Sequence, residues 1–220
     1  MNYVPAELLN VYLDAGRRCV VGRLAVNNRQ ILFEYDSTFL DSGIQISPFK
    51  LPLKRGVFLN PDTIFAGLFG VFNDSLPDGW GRLLLDRTVE RHGINRPQLP
   101  PVDRLAYVGS RGMGALSYEP DRSAMMLDDA PLMLDRLAEE AAIVLAGENE
   151  EVFDELLRLN GSSAGARPKI VAQVNMSRNK IIHGTQALRA GYEHWMIKFP
   201  SSQDAHDAGK IEYAYSLMAR

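Results

Sequence analysis

The sequence predicts an α+β protein: an amino-terminal antiparallel sheet with packed helices, followed by a second unit in which helices precede a small sheet. Three observations predict it. Apolar residues alternate with polar ones through much of Leu8 to Tyr35, as strands require. Helical spacing holds at Leu134, Leu137, Ala138, Ala141 and Leu145. Strand-like runs then return between Ile170 and Phe199. With 220 residues, 46% of them hydrophobic, the chain can bury a substantial core as one large domain or two small ones.

The elements follow in order. Val11-Tyr12-Leu13, Cys19 to Val26 and Ile31 to Tyr35 read as a meander, with Asn27-Asn28 as a turn. Asn60-Pro61 has the form of a helix start, Asn as cap and Pro at the first helical position, and Ile64, Phe65, Leu68, Val71 and Phe72 fall on one helical face. Ser75 to Arg82 combines turn chemistry with a capping Asp78, and Leu83, Leu84 and Arg87 continue as a helix ending at His92-Gly93. A short helix at Leu105 to Val108 leads through a glycine-rich turn, Gly109 to Gly114, into a strand at Ala115 to Tyr118. Pro120 to Pro131 is a polar connector and sets the domain limits at 1–120 and 121–220. Beyond it come the Leu134 helix, stopped by Gly147, and a short helix burying Phe153, Leu156 and Leu157. Strands at Ile170 to Val174 and Ile181 to His183 flank the turn Ser177 to Lys180, and His194 to Phe199 is a third strand. Ile211, Ala214, Tyr215 and Met218 mark an amphipathic helix.

Charge and composition exclude several classes. A net charge of −3 gives no basic footprint for direct nucleic-acid binding. The single cysteine, Cys19, cannot close an internal disulfide, and with four histidines there is no Cys/His metal framework. Cys19 suits an apolar strand position. The absence of a membrane-length apolar stretch and of a leader-like amino terminus predicts a cytoplasmic protein with no membrane partner.

Two lysines stand out. Ser162-Ser163-Ala164-Gly165-Ala166-Arg167-Pro168-Lys169 is a run of small residues closing on a lysine, which lets backbone amides and an ammonium meet an anion. The same run fits a surface turn ending in a solvated lysine. Alternation along Trp195 to Phe199 puts Trp195, Ile197 and Phe199 on one face, with Met196 and Lys198 on the other. Lys198 there meets an anion, as a kinase strand lysine does, or reaches solvent. Glu212, on the following helix, stands either as the carboxylate that orients such a lysine or as an exposed helix glutamate. His183, His194 and His206 lack metal-ligand spacing. Asp74, Asp78, Asp86 and Glu90 suit caps and helix surfaces. Ser162 and Ser163 have no His/Asp partners in sequence.

Several ordered motifs resemble one family, the HipA-like serine/threonine kinase toxins of type II toxin–antitoxin modules. Gly22-Arg23-Leu24 with Phe33-Glu34-Tyr35-Asp36 is similar to its opening meander, and Ser47-Pro48-Phe49-Lys50-Leu51-Pro52-Leu53 to the segment after it. Leu76-Pro77-Asp78-Gly79-Trp80-Gly81-Arg82 resembles its most recognisable signature. Arg104 to Gly109 with Gly114-Ala115-Leu116 fits the next block. The resemblance implies that Ala164, Gly165, Ala166, Arg167, Pro168 and Lys169 line ATP, that Lys198 meets its phosphates and that Ser162 is autophosphorylated. Arg167-Pro168 replaces a more acidic or amide pair, and Pro168 removes one backbone donor. Phosphorylation of Ser162 would add about two negative charges beside the nucleotide and switch binding off.

The resemblance further implies ATP with Mg²⁺ as cofactors, a small DNA-binding HipB-like antitoxin as partner and a protein of translation, such as an aminoacyl-tRNA synthetase, as substrate. It makes residues 121–220 a kinase-like amino lobe, cut before the helical lobe that carries the catalytic carboxylates and Mg²⁺ ligands. The expectation is that this chain has no catalytic or metal-binding residues of its own, is inactive alone and exposes apolar surface on its last helix. The alternative is a non-catalytic binding or antitoxin module of a split system.

Overall fold

The fold is α+β, with two antiparallel sheets. A computed structural model describes residues 5–77, 79–91, 99–123, 133–146, 156, 167–184, 188–200 and 204–219. Strands β1 (Leu8–Ala15), β2 (Arg17–Asn27) and β3 (Gln30–Tyr35) form the meander. β4 (Val57–Leu59) adds to β3, and β5 (Leu116–Glu119) adds to β1, giving the order β4-β3-β2-β1-β5. Leu9, Val11, Leu24, Ile31, Phe33 and Tyr35 are buried in one core with Phe69 and Phe72. A short helix, α1 (Ser37–Leu40), follows the meander and buries Phe39 in that core.

Three local features differ from the sequence expectation or refine it. The β2–β3 turn lies one residue later, at Asn28 and Arg29, with φ of 49° and 64° and Asn27 pairing Gln30. Two left-handed residues are what a tight hairpin needs to match the twist of its strands. The register of β1 on β2 slips between Val11 and Tyr12, so Val11 faces Gly22 while Tyr12 faces Val20, and Val21 is the extra, buried residue of a bulge. No helix starts at Asn60-Pro61. Instead Asn60 Oδ1 accepts from the Asp62 amide and its Nδ2 donates to the Leu68 carbonyl, 2.9 Å, closing a loop. Ala66 and Gly67 are left-handed, which a helix cannot tolerate, and only α2 (Gly70–Asn73) winds up.

Helix α3 (Gly79–Arg91) joins the two parts of the molecule. Trp80 and Leu84 enter a second core with Leu137, Ala141 and Val144 of α5 (Leu134–Ala146), and with Leu156, Ile170, Ala172 and Phe199. Leu85 and Val89 pack with Leu99 instead. Arg87 donates to the Val144 carbonyl at 3.1 Å, and Arg104 of α4 (Pro101–Val108) bonds Asp86 at 2.5 Å. α4 also carries Asp103, fully buried, whose carboxylate accepts from the Ala6 amide at 2.8 Å and from Arg122 at 2.9 Å.

The second sheet runs β7-β6-β8, with β6 (Lys169–Asn175), β7 (Ile181–His183) and β8 (Tyr192–Lys198) all antiparallel. α6 (Ala208–Met218) follows. The sequence expects it to be amphipathic, but Tyr213 and Leu217 are exposed as well as Ile211, Tyr215 and Met218, and the helix buries none of its residues. Phe153 and Leu157 lie outside the described residues. Among the described residues, no helix is long and apolar enough to cross a membrane.

Candidate functional site

The register of β6 on β8 decides where the two lysines stand. Lys169 is the direct partner of Lys198, Ile170 of Ile197, Val171 of Met196 and Ala172 of Trp195. Residues opposite one another in an antiparallel pair share a face, and Ile170 and Ala172 point into the second core. Lys169 and Lys198 therefore project together from the opposite face, on Cα atoms about 5 Å apart. Lys169 is only 3% exposed, so its ammonium sits in a setting that favours company for its charge.

Lys198 Nζ donates to Glu212 Oε2 at 2.8 Å, which joins α6 to the sheet. The bond from Lys198 holds the Glu212 carboxyl below the usual carboxylate range, the Lys198 and Arg167 charges add to this, and partial burial and Asp204 oppose it. Arg167 reaches Asp204 Oδ1 at 2.7 Å with one terminal nitrogen and lies 3.9 Å from Glu212 Oε1 with the other. The Pro168 carbonyl accepts from the Phe199 amide at 2.9 Å, continuing the β6–β8 ladder. Pro168 lacks an amide for a phosphate, but its carbonyl fastens the end of the small-residue run to the strand of Lys198.

Ser162, Ala164, Gly165 and Ala166 lie outside the described residues. Of the predicted site, the structure thus brings together Arg167, Lys169, Lys198 and Glu212. Asp204 joins them unannounced by the sequence. It sits in a polar run with no periodicity, and its contact with Arg167 alone places it at the site. Gln173, also buried, accepts from the Arg189 amide at 2.8 Å and holds the β7–β8 connection against the sheet. His194 opposes Gln173 across the ladder, and His206 lies 3.8 Å from Asp207. No group of His, Cys, Asp and Glu that could hold a metal occurs among the described residues. Asp86, one of the carboxylates expected at caps and helix surfaces, is engaged by Arg104 and, at 3.7 Å, by Arg82.

No curated protein matches the chain. The pattern described as the HipA N-terminal domain matches residues 9–119, half of the sequence, from β1 through β5. That span contains the meander, the bulge at Val21, the Trp80 helix and the Asp103 helix, and the chain belongs to the HipA N-terminal domain family.

Proposed function

We propose that the chain is the amino-terminal part of a HipA-like serine/threonine kinase toxin and that its second unit binds ATP, with Lys169 and Lys198 against the phosphates. The observation that carries this is the direct cross-strand pairing of the two lysines on the face away from the core. Two lysines opposite one another on adjoining strands can present two ammonium donors to one polyphosphate. Glu212 bonds Lys198 in the manner of the carboxylate that orients a kinase strand lysine. The small-residue run Ser162 to Ala166 leads directly into this edge and would supply amides, with Ser162 as the autophosphorylated residue.

Phosphoryl transfer also needs a carboxylate for the acceptor hydroxyl and ligands for Mg²⁺. We assign these to a helical lobe outside the 220 residues, and expect no turnover from this chain alone. HipA toxins pair with a small DNA-binding antitoxin, and a protein of translation is the proposed target. The match to the amino-terminal domain alone also suits a non-catalytic binding module.

Ligand-observed NMR with ATP and Mg²⁺ separates the two. A nucleotide site half built by this chain binds weakly, with Kd on the order of 1 mM, or about −4 kcal/mol. Lys198→Met abolishes that signal. If ATP shows no transfer signal, or Lys198→Met leaves it unchanged, the ATP assignment fails and the binding module stands.

A further inference from the structure

The proposed nucleotide anchor is tied to a second ion pair that the ATP assignment leaves without a role. Four charged groups alternate in sign along one line: Asp204, Arg167, Glu212 and Lys198. They come from four segments, namely the stretch entering β6, the end of β8, the stretch after it, and α6. Asp204 is 9% exposed in its side chain, whereas Arg167 is 47% exposed. The more covered member is therefore the carboxylate, and the guanidinium is drawn to it.

We infer that Arg167 is a positioning residue, clasped by Asp204, that holds Glu212 in place for Lys198 and does not itself touch the nucleotide. The inference rests on the ATP assignment only for what Lys198 does once positioned. Guanidinium geometry supports it. The fork of donors can serve two carboxylates at once, and here one terminal nitrogen faces each. To reach a phosphate, Arg167 would have to break a charge-assisted bond of 2.7 Å to a largely covered acceptor. Its backbone is restrained as well, because the residue before a proline is confined to extended conformations, and Pro168 is locked to β8 through its carbonyl.

Glu212 divides its oxygens accordingly, Oε2 to Lys198 and Oε1 toward Arg167. α6 buries no residue of its own among the described residues, so apolar packing does little to hold Glu212 over the sheet. The alternating charges do that work. Losing either end of the clasp frees the carboxylate and, with it, the ammonium that it orients.

Two measurements on the full 220-residue chain test this. The first is the ¹⁵N ammonium signal of Lys198 without ligand, whose protons exchange slowly while Glu212 accepts from them. It should be lost in Arg167→Ala and in Asp204→Asn and only partly kept in Arg167→Lys, which carries the charge without the fork. The second is ATP–Mg²⁺ binding by ligand-observed NMR, expected to weaken about tenfold in both variants, with the double variant no worse than either alone because the pair acts as a unit. If Arg167→Ala loses ATP while Asp204→Asn keeps both the ATP affinity and the Lys198 signal, Arg167 contacts the nucleotide directly and the inference is overturned. If the wild-type chain binds no ATP, the ATP assignment alone falls. The clasp is then judged by the ammonium signal, whose loss in Asp204→Asn upholds it and whose persistence refutes it.

Discussion

Replacing Gly22 by alanine isolates what the opening motif Gly22-Arg23-Leu24 does physically. A Cβ at Gly22 would stand 2.2 Å from the Glu34 carbonyl oxygen and 2.9 Å from Phe33 Cζ. Neither neighbour can withdraw. The oxygen belongs to the backbone of β3, and the Phe33 ring is fully buried, with its centroid 4.8 Å from Tyr35 and 5.0 Å from Phe72. The β2–β3 ladder must open beside the bulge, at a cost of one or two hydrogen bonds of about 1 kcal/mol each. Overpacking adds about 1–3 kcal/mol, and reduced freedom of the unfolded chain returns about 0.4–1 kcal/mol. The net loss is roughly 1–5 kcal/mol, which for a chain of this size lowers Tm by about 2–18 °C. Gly16→Ala is the control: Gly16 has φ +82° with nothing within 4 Å, so only backbone strain of about 1–2 kcal/mol applies. Thermal melts followed by circular dichroism compare the two variants. If Gly22→Ala melts no lower than Gly16→Ala, close strand approach is not why glycine stands there.

Trp80→Ala should cost about 3–5 kcal/mol, because the indole is buried in the second core, and should speed amide exchange in α5 and β6 more than in the meander; equal protection loss in both halves would contradict this. Asp103→Ala removes a buried acceptor of the Ala6 amide and Arg122 and should cost about 3–5 kcal/mol in urea titrations, with a loss under about 1 kcal/mol counting against it. Burial pushes the Tyr35 phenol from 10.0 up to about 12. Its folded-state value is raised, so its contribution is complete below pH 10 and is lost as pH climbs through about 12. Tyr35→Phe should flatten the fall in stability across that window, although it gives up the bond to the Leu51 carbonyl and is less stable at neutral pH; an unchanged alkaline slope would show that Tyr35 does not titrate there.

The meander was legible because its residues must alternate to bury one face, and α5 because Leu134, Leu137, Ala138 and Ala141 share a helical stripe, although Leu145, read with them, is exposed and Val144 is buried in its stead. The Asn60 segment misled for a definite reason. An Asn before Pro caps a helix and closes an Asx-type loop with the same side-chain acceptor, and what decides between them is the left-handed backbone at Ala66 and Gly67. At the candidate site, alternation alone placed Lys198 on the face away from Ile197. It could not give the register that sets Lys198 opposite Lys169, since that depends on how β7 and its flanking turns take up the chain between the two strands. Asp204 was invisible because its place is fixed by Arg167, a contact between segments that no spacing encodes.

Trp80 lies in the part of the sequence that reads as the first domain, yet its indole is 1% exposed in the other core. The halves are therefore laced through α3, by the Trp80 ring together with Leu84 and the Arg87 bond to Val144, instead of standing side by side. A polypeptide of residues 1–120 prepared by itself carries that ring with nothing to cover it. It should bind hydrophobic dyes and self-associate, and trimming the polar connector will not relieve the stickiness. Anyone dividing this protein for crystallography or partner screening does better to cut elsewhere, or to blunt Trp80 first.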